Sequence, residues 1–144
     1  MVWVINSNSN TCRIYQYNKP TSKLDLINEI SHPDLKAKVS EMVSDKPGKY
    51  KASKSARGAY SPPSDPKEVK IDNFLHEIAD LINQERFKNA FNKLILIAPP
   101  QVEGILMLHM DKHVKEMIIC SIQKDLIHLN QKDLLEVLDD TPNY

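Results

Sequence analysis

Lys93-Leu94-Ile95-Leu96-Ile97-Ala98-Pro99-Pro100 is the stretch that decides the fold. Five apolar residues follow one another without the alternation of a half-exposed strand, and two prolines then end any hydrogen-bonding ladder because they carry no N–H. A run of this kind is a strand covered on both faces, which puts it inside an α/β sheet rather than at an edge. Ligands of open α/β sheets gather beyond the carboxyl ends of their strands, so Pro99 and Pro100 mark the expected functional rim.

Toward the N-terminus the pattern changes to a meander. Val2–Ile5 is β-rich, Asn6-Ser7-Asn8-Ser9-Asn10 is a cluster of turn formers, and Thr11–Tyr17 resumes strand character. Cys12, Ile14 and Gln16 should face one way and Arg13, Tyr15 and Tyr17 the other. A second turn at Asn18–Ser22 leads into a third strand, Leu24–Ile30. From His32 to Asp65 regular patterning dissolves, apart from a short helix expected near Asp34–Met42. Lys49–Ser64 is expected to be the least ordered part of the chain. Asp65-Pro66-Lys67-Glu68 is a strong helix start, with an N-cap carboxylate, a proline at the first helical position and a glutamate three residues after the cap. The stripe Ile71, Phe74, Leu75, Ile78, Ala79 and Ile82 predicts an amphipathic helix to about Lys88.

Beyond the central strand, Pro100–Met110 predicts a helix, Asp111 an N-cap for a brief piece through Val114, and Met117–Gln123 a fifth strand. Asn130 should cap a last helix docked by Leu134, Leu135, Val137 and Leu138. The order β-β-β-α-β-α-β-α is a meander followed by two right-handed crossovers. It predicts an α/β, ribonuclease-H-like three-layer fold with a mixed five-stranded sheet. One domain spans residues 1–144, with a long mobile loop at about 45–64 between strand three and the first long helix. A flavodoxin-like sheet is disfavoured, because the opening strands lie too close together for helical crossovers.

Composition narrows the function classes. A chain of 144 residues with 41% hydrophobic and 26% charged residues builds a core without metal or disulfide staples. Nineteen basic residues balance nineteen acidic ones, so any affinity for nucleic acid must come from local clustering. Cys12 and Cys120 fall on different strands and read as reduced packing residues. The start has no basic region ahead of its apolar residues and no run reaches membrane-spanning length, which predicts a cytoplasmic protein without membrane insertion.

The chemistry-bearing constellations are few. Two-metal nucleases need carboxylates on adjacent central strands, but here the first strand ends at Asn6-Ser7 and the fourth in prolines, while Asp25 and Glu29 read as solvated edge charges. His109 and His113 have i, i+4 spacing without the glutamate of H-E-x-x-H, and Asp111 should break the helix between them. Three glycines provide no phosphate cradle. No catalytic residue, metal or cofactor is assigned. Two groups remain. Lys46, Lys49, Lys51, Lys54 and Arg57, interleaved with Tyr50 and Tyr60, form a basic arm suited to backbone phosphates and stacked bases, or else a polar loop kept soluble by lysine. Lys124, Asp125 and His128 meet Pro99 and Pro100 at the strand ends, with Asp45 as a further acid of this rim, either as a pocket or as a structural corner in which Asp125 caps backbone N–H groups.

Trp3-Val4-Ile5, His32-Pro33, Val43-Ser44-Asp45-Lys46-Pro47-Gly48, Asp65-Pro66-Lys67-Glu68, Leu96-Ile97-Ala98-Pro99-Pro100 and Lys124-Asp125-Leu126-Ile127-His128-Leu129, taken in order, resemble the bacterial host-attachment protein family over nearly the whole chain. Asn6 stands where that family usually has Asp. The family is in turn remotely similar to the middle domain of archaeal and eukaryotic peptide-chain release factors, whose Gly-Gly-Gln loop precedes a long helix. Ala56-Arg57-Gly58-Ala59-Tyr60 occupies that place here, with one glycine and no glutamine, so the resemblance carries the loop's position and not its peptide-release chemistry. Three functional expectations follow. They are a release-factor-like module binding ribosomal RNA or tRNA through the Lys46–Arg57 arm and the rim, a protein-interaction factor in attachment, and a small hydrolase using Asp125 and His128. Oligomeric state is left open.

Overall fold

The opening meander forms because two short polar turns separate β-rich runs. Strand β1 (Val2–Ser7) pairs antiparallel with β2 (Thr11–Asn18), with Val2 opposite Tyr17 and Ser7 opposite Cys12. Asn8 closes the first turn, its Oδ1 accepting from the backbone N–H groups of Asn10 at 3.0 Å and Thr11 at 2.8 Å. Strand β3 (Lys23–Ser31) pairs antiparallel with β2, and the ladder shifts at Ile14/Tyr15, where Ile27 becomes an extra, unpaired residue on the outer strand. The computed structural model describes residues 1–32 and 65–141. The helix expected at 34–42 and the loop at about 45–64, with Asp45, Lys46, Lys49, Lys51, Lys54, Arg57 and Tyr60, lie outside the described residues.

Helix α1 (Pro66–Phe87) starts as expected: Asp65 is extended and its Oδ1 accepts from Lys67 N–H at 2.9 Å, with Pro66 in the first helical position. β4 (Lys93–Ile97) then inserts beside β1, parallel to it, with Asn6 opposite Ile97. Helix α2 (Pro100–His109) and the single turn α3 (Lys112–Glu116) carry the chain to β5 (Ile118–Ile122), parallel to β4. Asp111 takes the N-cap backbone conformation of α3 but makes no side-chain cap bond. Its own N–H donates to Asn83 Oδ1 at 2.9 Å, a long-range clasp that ties the start of α3 to α1. Helix α4 (Gln131–Asp140) is capped by Asn130, whose Oδ1 accepts from Asp133 N–H at 2.8 Å.

The result is an α/β domain with a mixed five-stranded sheet in the order β3-β2-β1-β4-β5. This order, antiparallel on one side of β1 and parallel on the other, is compatible with the ribonuclease-H-like arrangement. Leu94, Leu96 and Ala98 pack with Trp3 and Ile5 under Phe74, Leu75, Ile78 and Ile82 of α1 and Val102 and Leu106 of α2. Ile95 and Ile97 point the other way, packing with Val4, Tyr15 and Tyr17 against Leu134 and Leu138 of α4. The unbroken apolar run is therefore a strand buried on both faces. Cys12 belongs to the first layer and Cys120 to the second, so the sheet separates the two thiols.

Strand directions define one rim. β3 runs parallel to β1, so Ser31 ends at the same side as the carboxyl ends of β1, β4 and β5. The backbone of His32 is held there by a 2.9 Å bond from its N–H to Asn10 O. Its ring meets Phe74 edge-on at 4.8 Å. Phe74 is also the first buried residue of α1. The eight helical residues before it carry α1 about 12 Å further, at the usual rise per residue. Helix α1 thus begins beyond this rim.

Candidate functional site

Five paired residues cross the sheet at the rim in one row on the α4 side: Glu29, Arg13, Asn6, Ile97 and Ile122. The three polar members hold down the loop between β5 and α4. Asn6, fully buried at the end of β1, donates from Nδ2 to Leu126 O at 3.2 Å. Its neighbour Arg13 donates from Nη1 to Ile127 O at 2.7 Å and from Nε to Glu29 Oε2 at 2.7 Å. Two consecutive loop carbonyls are thus gripped by two neighbouring strand residues. The bond to Leu126 O fixes the orientation of the Asn6 amide, since turning it over would set two oxygens against each other. Asn6 Oδ1 is then a buried acceptor without a donor among the described residues.

The loop and the outer strands enclose an open cavity of about 410 Å³. Arg13, Glu29, Tyr15 and Leu26 form the sheet side, and Ile127–Gln131 form the loop side with His128. The hydrogen bond to Glu29 holds the Arg13 guanidinium charged more firmly than usual, and burial pushes the Tyr15 hydroxyl up in pKa. An Arg–Glu pair leaves the cavity with balanced charge and with donor and acceptor side by side.

The residues named from sequence distribute as follows. Pro99, two residues past β4, has extended backbone as the N-cap residue of α2, and Pro100 is the first residue of α2. Lys124, Asp125 and His128 lie on the loop after β5 with exposed side chains, and of these rim residues only His128 lines the cavity. Asp125 Oδ1 accepts from Ile127 N–H at 3.3 Å, the corner role. His109 and His113 do not converge: His109 lies 3.6 Å from Asp72 on α1, and His113 lies 3.9 Å from Glu116 within α3. No group of three or more His, Cys, Asp or Glu side chains among the described residues is placed to hold a metal. Burial pushes the Cys12 thiol up to about 12, which leaves it protonated and unreactive at neutral pH. Arg13 was missed in sequence because it reads as an ordinary outward position of a hairpin. Its partners stand 16 and 114 residues away.

A family model described as "Protein required for attachment to host cells" matches residues 3–138. The chain belongs to this host-attachment family. No curated protein matches it. Among solved structures, one described as an archaeal protein superposes with a TM-score of 0.51 at 11% identity, covering 96% of this chain and 33% of that one. The archaeal translation termination factor aRF1 superposes with a TM-score of 0.47 at 11% identity, covering 85% and 31%. The host-attachment chain therefore spans about a third of the length of either. At such identity the first likeness bears on the fold alone.

Proposed function

We propose that this host-attachment protein is a non-catalytic, release-factor-like module that binds RNA of the ribosome or tRNA in the cytoplasm. Lys46, Lys49, Lys51, Lys54, Arg57 and Tyr60 make the contacts. The observation that supports this reading is topological. The segment containing these residues leaves the sheet after His32 and is followed by Asp65, the N-cap of α1. Both ends lie on the carboxyl side of the sheet, His32 at the rim and Asp65 beyond it, and Lys124, His128 and the Arg13 cavity lie on that side too. A segment tethered at both ends on this side of the sheet supports an RNA-binding face shared with the polar rim. Phosphate neutralisation by lysine and arginine dominates such binding and makes it salt-dependent.

The test is RNA affinity across a salt series for the native chain and for the Lys49→Glu, Lys51→Glu, Lys54→Glu, Arg57→Glu variant. Each lost phosphate contact removes about 0.7 from the log–log salt slope for single strands, so four lost contacts flatten it by about 3. Salt-stripped co-sedimentation of the native protein with ribosomal subunits is the matching observation from lysate. An unchanged affinity and slope in the variant would refute the proposal. A second reading, a protein-interaction factor in attachment, is favoured by Leu26 and Ile27, which stand 48% and 44% exposed side by side on the outermost strand. Its discriminator is whether the protein is recovered from the cell surface.

A further inference from the structure

We infer that the Arg13–Glu29 cavity is a pocket for a single unstacked nucleobase, guanine above the others. This rests on the RNA-binding reading and adds to it the place where sequence would be read.

Charge excludes the simplest alternative. A phosphate site needs uncompensated positive charge, but the Arg13 guanidinium is already paired with Glu29 at 2.7 Å and anchored to Ile127 O at 2.7 Å. A phosphate entering the cavity would meet the carboxylate as well as the guanidinium. A neutral, planar group with mixed donors and acceptors meets no such repulsion. The cavity's volume of about 410 Å³ accommodates a group of nucleotide size, and its walls are apolar at Leu26 and Leu129. The exposed His128 ring supplies a surface on which a base can stack.

The polar edge favours guanine. Arg13 brings N–H donors, and immediately beside it the Glu29 carboxylate has acceptor capacity beyond the bond it receives from Arg13. The Watson–Crick edge of guanine presents an acceptor followed by two donors. One guanidinium N–H and both carboxylate oxygens can satisfy that sequence together. Cytosine, adenine and uracil offer no pair of adjacent donors to a carboxylate. Both side chains are held in place, Arg13 by the loop carbonyl and Glu29 by Arg13, so the recognition edge exists before the base arrives.

The experiment is a backbone amide NMR titration of the full chain with the four nucleoside 5′-monophosphates and with inorganic phosphate, repeated on Glu29→Gln. Guanosine monophosphate should shift Glu29, Leu129, Asn130 and Gln131 at concentrations where phosphate does not. Glu29→Gln should weaken guanosine monophosphate about tenfold while leaving the other three nearly unchanged, in keeping with the discrimination of a good two-point base contact. A spectrum otherwise superposing on the native one shows that this exposed substitution keeps the fold. Equal shifts from inorganic phosphate, no preference among the bases, or an unaltered preference in Glu29→Gln would each overturn the inference. Failure of the RNA proposal is separable. Guanosine binding in the cavity with no salt-dependent RNA affinity would sink the RNA reading alone. RNA affinity that depends on the lysines without base-dependent shifts here would sink the pocket alone.

Discussion

Replacing Arg13 by methionine keeps an unbranched stem of similar length and removes every donor. The two short interactions of Arg13 go, and with them a weaker one to the Tyr15 hydroxyl. The ion pair with Glu29 joins side chains 29% and 47% exposed, so solvent screening keeps its worth below about 1 kcal/mol. The bond from the guanidinium to Ile127 O is charge-assisted and fastens a loop carbonyl to the sheet, worth about 1.5–3 kcal/mol. Together they come to about 1.5–4 kcal/mol, most of it from the carbonyl anchor. In urea this moves the unfolding midpoint down by roughly 1–2 M at an ordinary slope for a small protein. The buried Trp3, the single tryptophan, provides the fluorescence signal. Hydrogen exchange should quicken at the amides of residues 126–130 before it does in β4, since the loop is released while the core stays packed. Glu29→Gln, which leaves the Ile127 anchor in place, should cost less than about 1 kcal/mol. Equal losses for the two substitutions, or an Arg13→Met loss under about 0.5 kcal/mol with unchanged loop exchange, would refute the assignment of Arg13 as the loop's anchor.

Phe74→Ala empties a fully buried site under β1 and β4 and removes the ring that His32 packs against; urea unfolding should register a loss of about 3–5 kcal/mol. Asp139 on α4 is held below its ordinary pKa of 3.8, first by the Ser22 hydroxyl and then by the Tyr17 hydroxyl at 2.6 Å. A depressed carboxylate stabilises the fold above its unfolded pKa and loses that contribution as pH falls through the folded value. Tyr17→Phe should therefore lower the urea midpoint by a constant amount above about pH 5, with the gap to the native protein closing below 3.8; a gap independent of pH down to acid unfolding would count against the link.

Much of this fold could be read from local signals. The Leu94–Ala98 run announced a doubly covered strand because no alternation was possible for a segment buried on both faces. Asp65-Pro66 and Asn130 announced helix starts because capping is settled within three residues. The alternation of Cys12 and Ile14 against Arg13 and Tyr15 gave the two faces of β2 correctly. The rim was legible only as a location. Pro99, Lys124 and His128 were found from where the strands end, but the residue that organises the loop over them, Arg13, was not. Its role depends on β2 lying beside β3 and beneath a loop from the far end of the chain, a juxtaposition no window of sequence contains. Asp111 was legible as a position: it is the N-cap residue of α3, as its place in the sequence indicated. The bond from its N–H to Asn83 on α1 was not, because the two stand 28 residues apart.

The extra residue at Ile27 interrupts the outermost strand in the middle of its nine residues. An uninterrupted outer strand of that length is a template on which another molecule's backbone can zip. A bulge bends the strand and breaks the even spacing of its outward N–H and C=O groups, and charged Lys23, Asp25 and Glu29 flank the two apolar side chains. Deleting Ile27 would restore the even spacing and give a protein that keeps its fold in dilute solution and gathers into fibrils as it is concentrated.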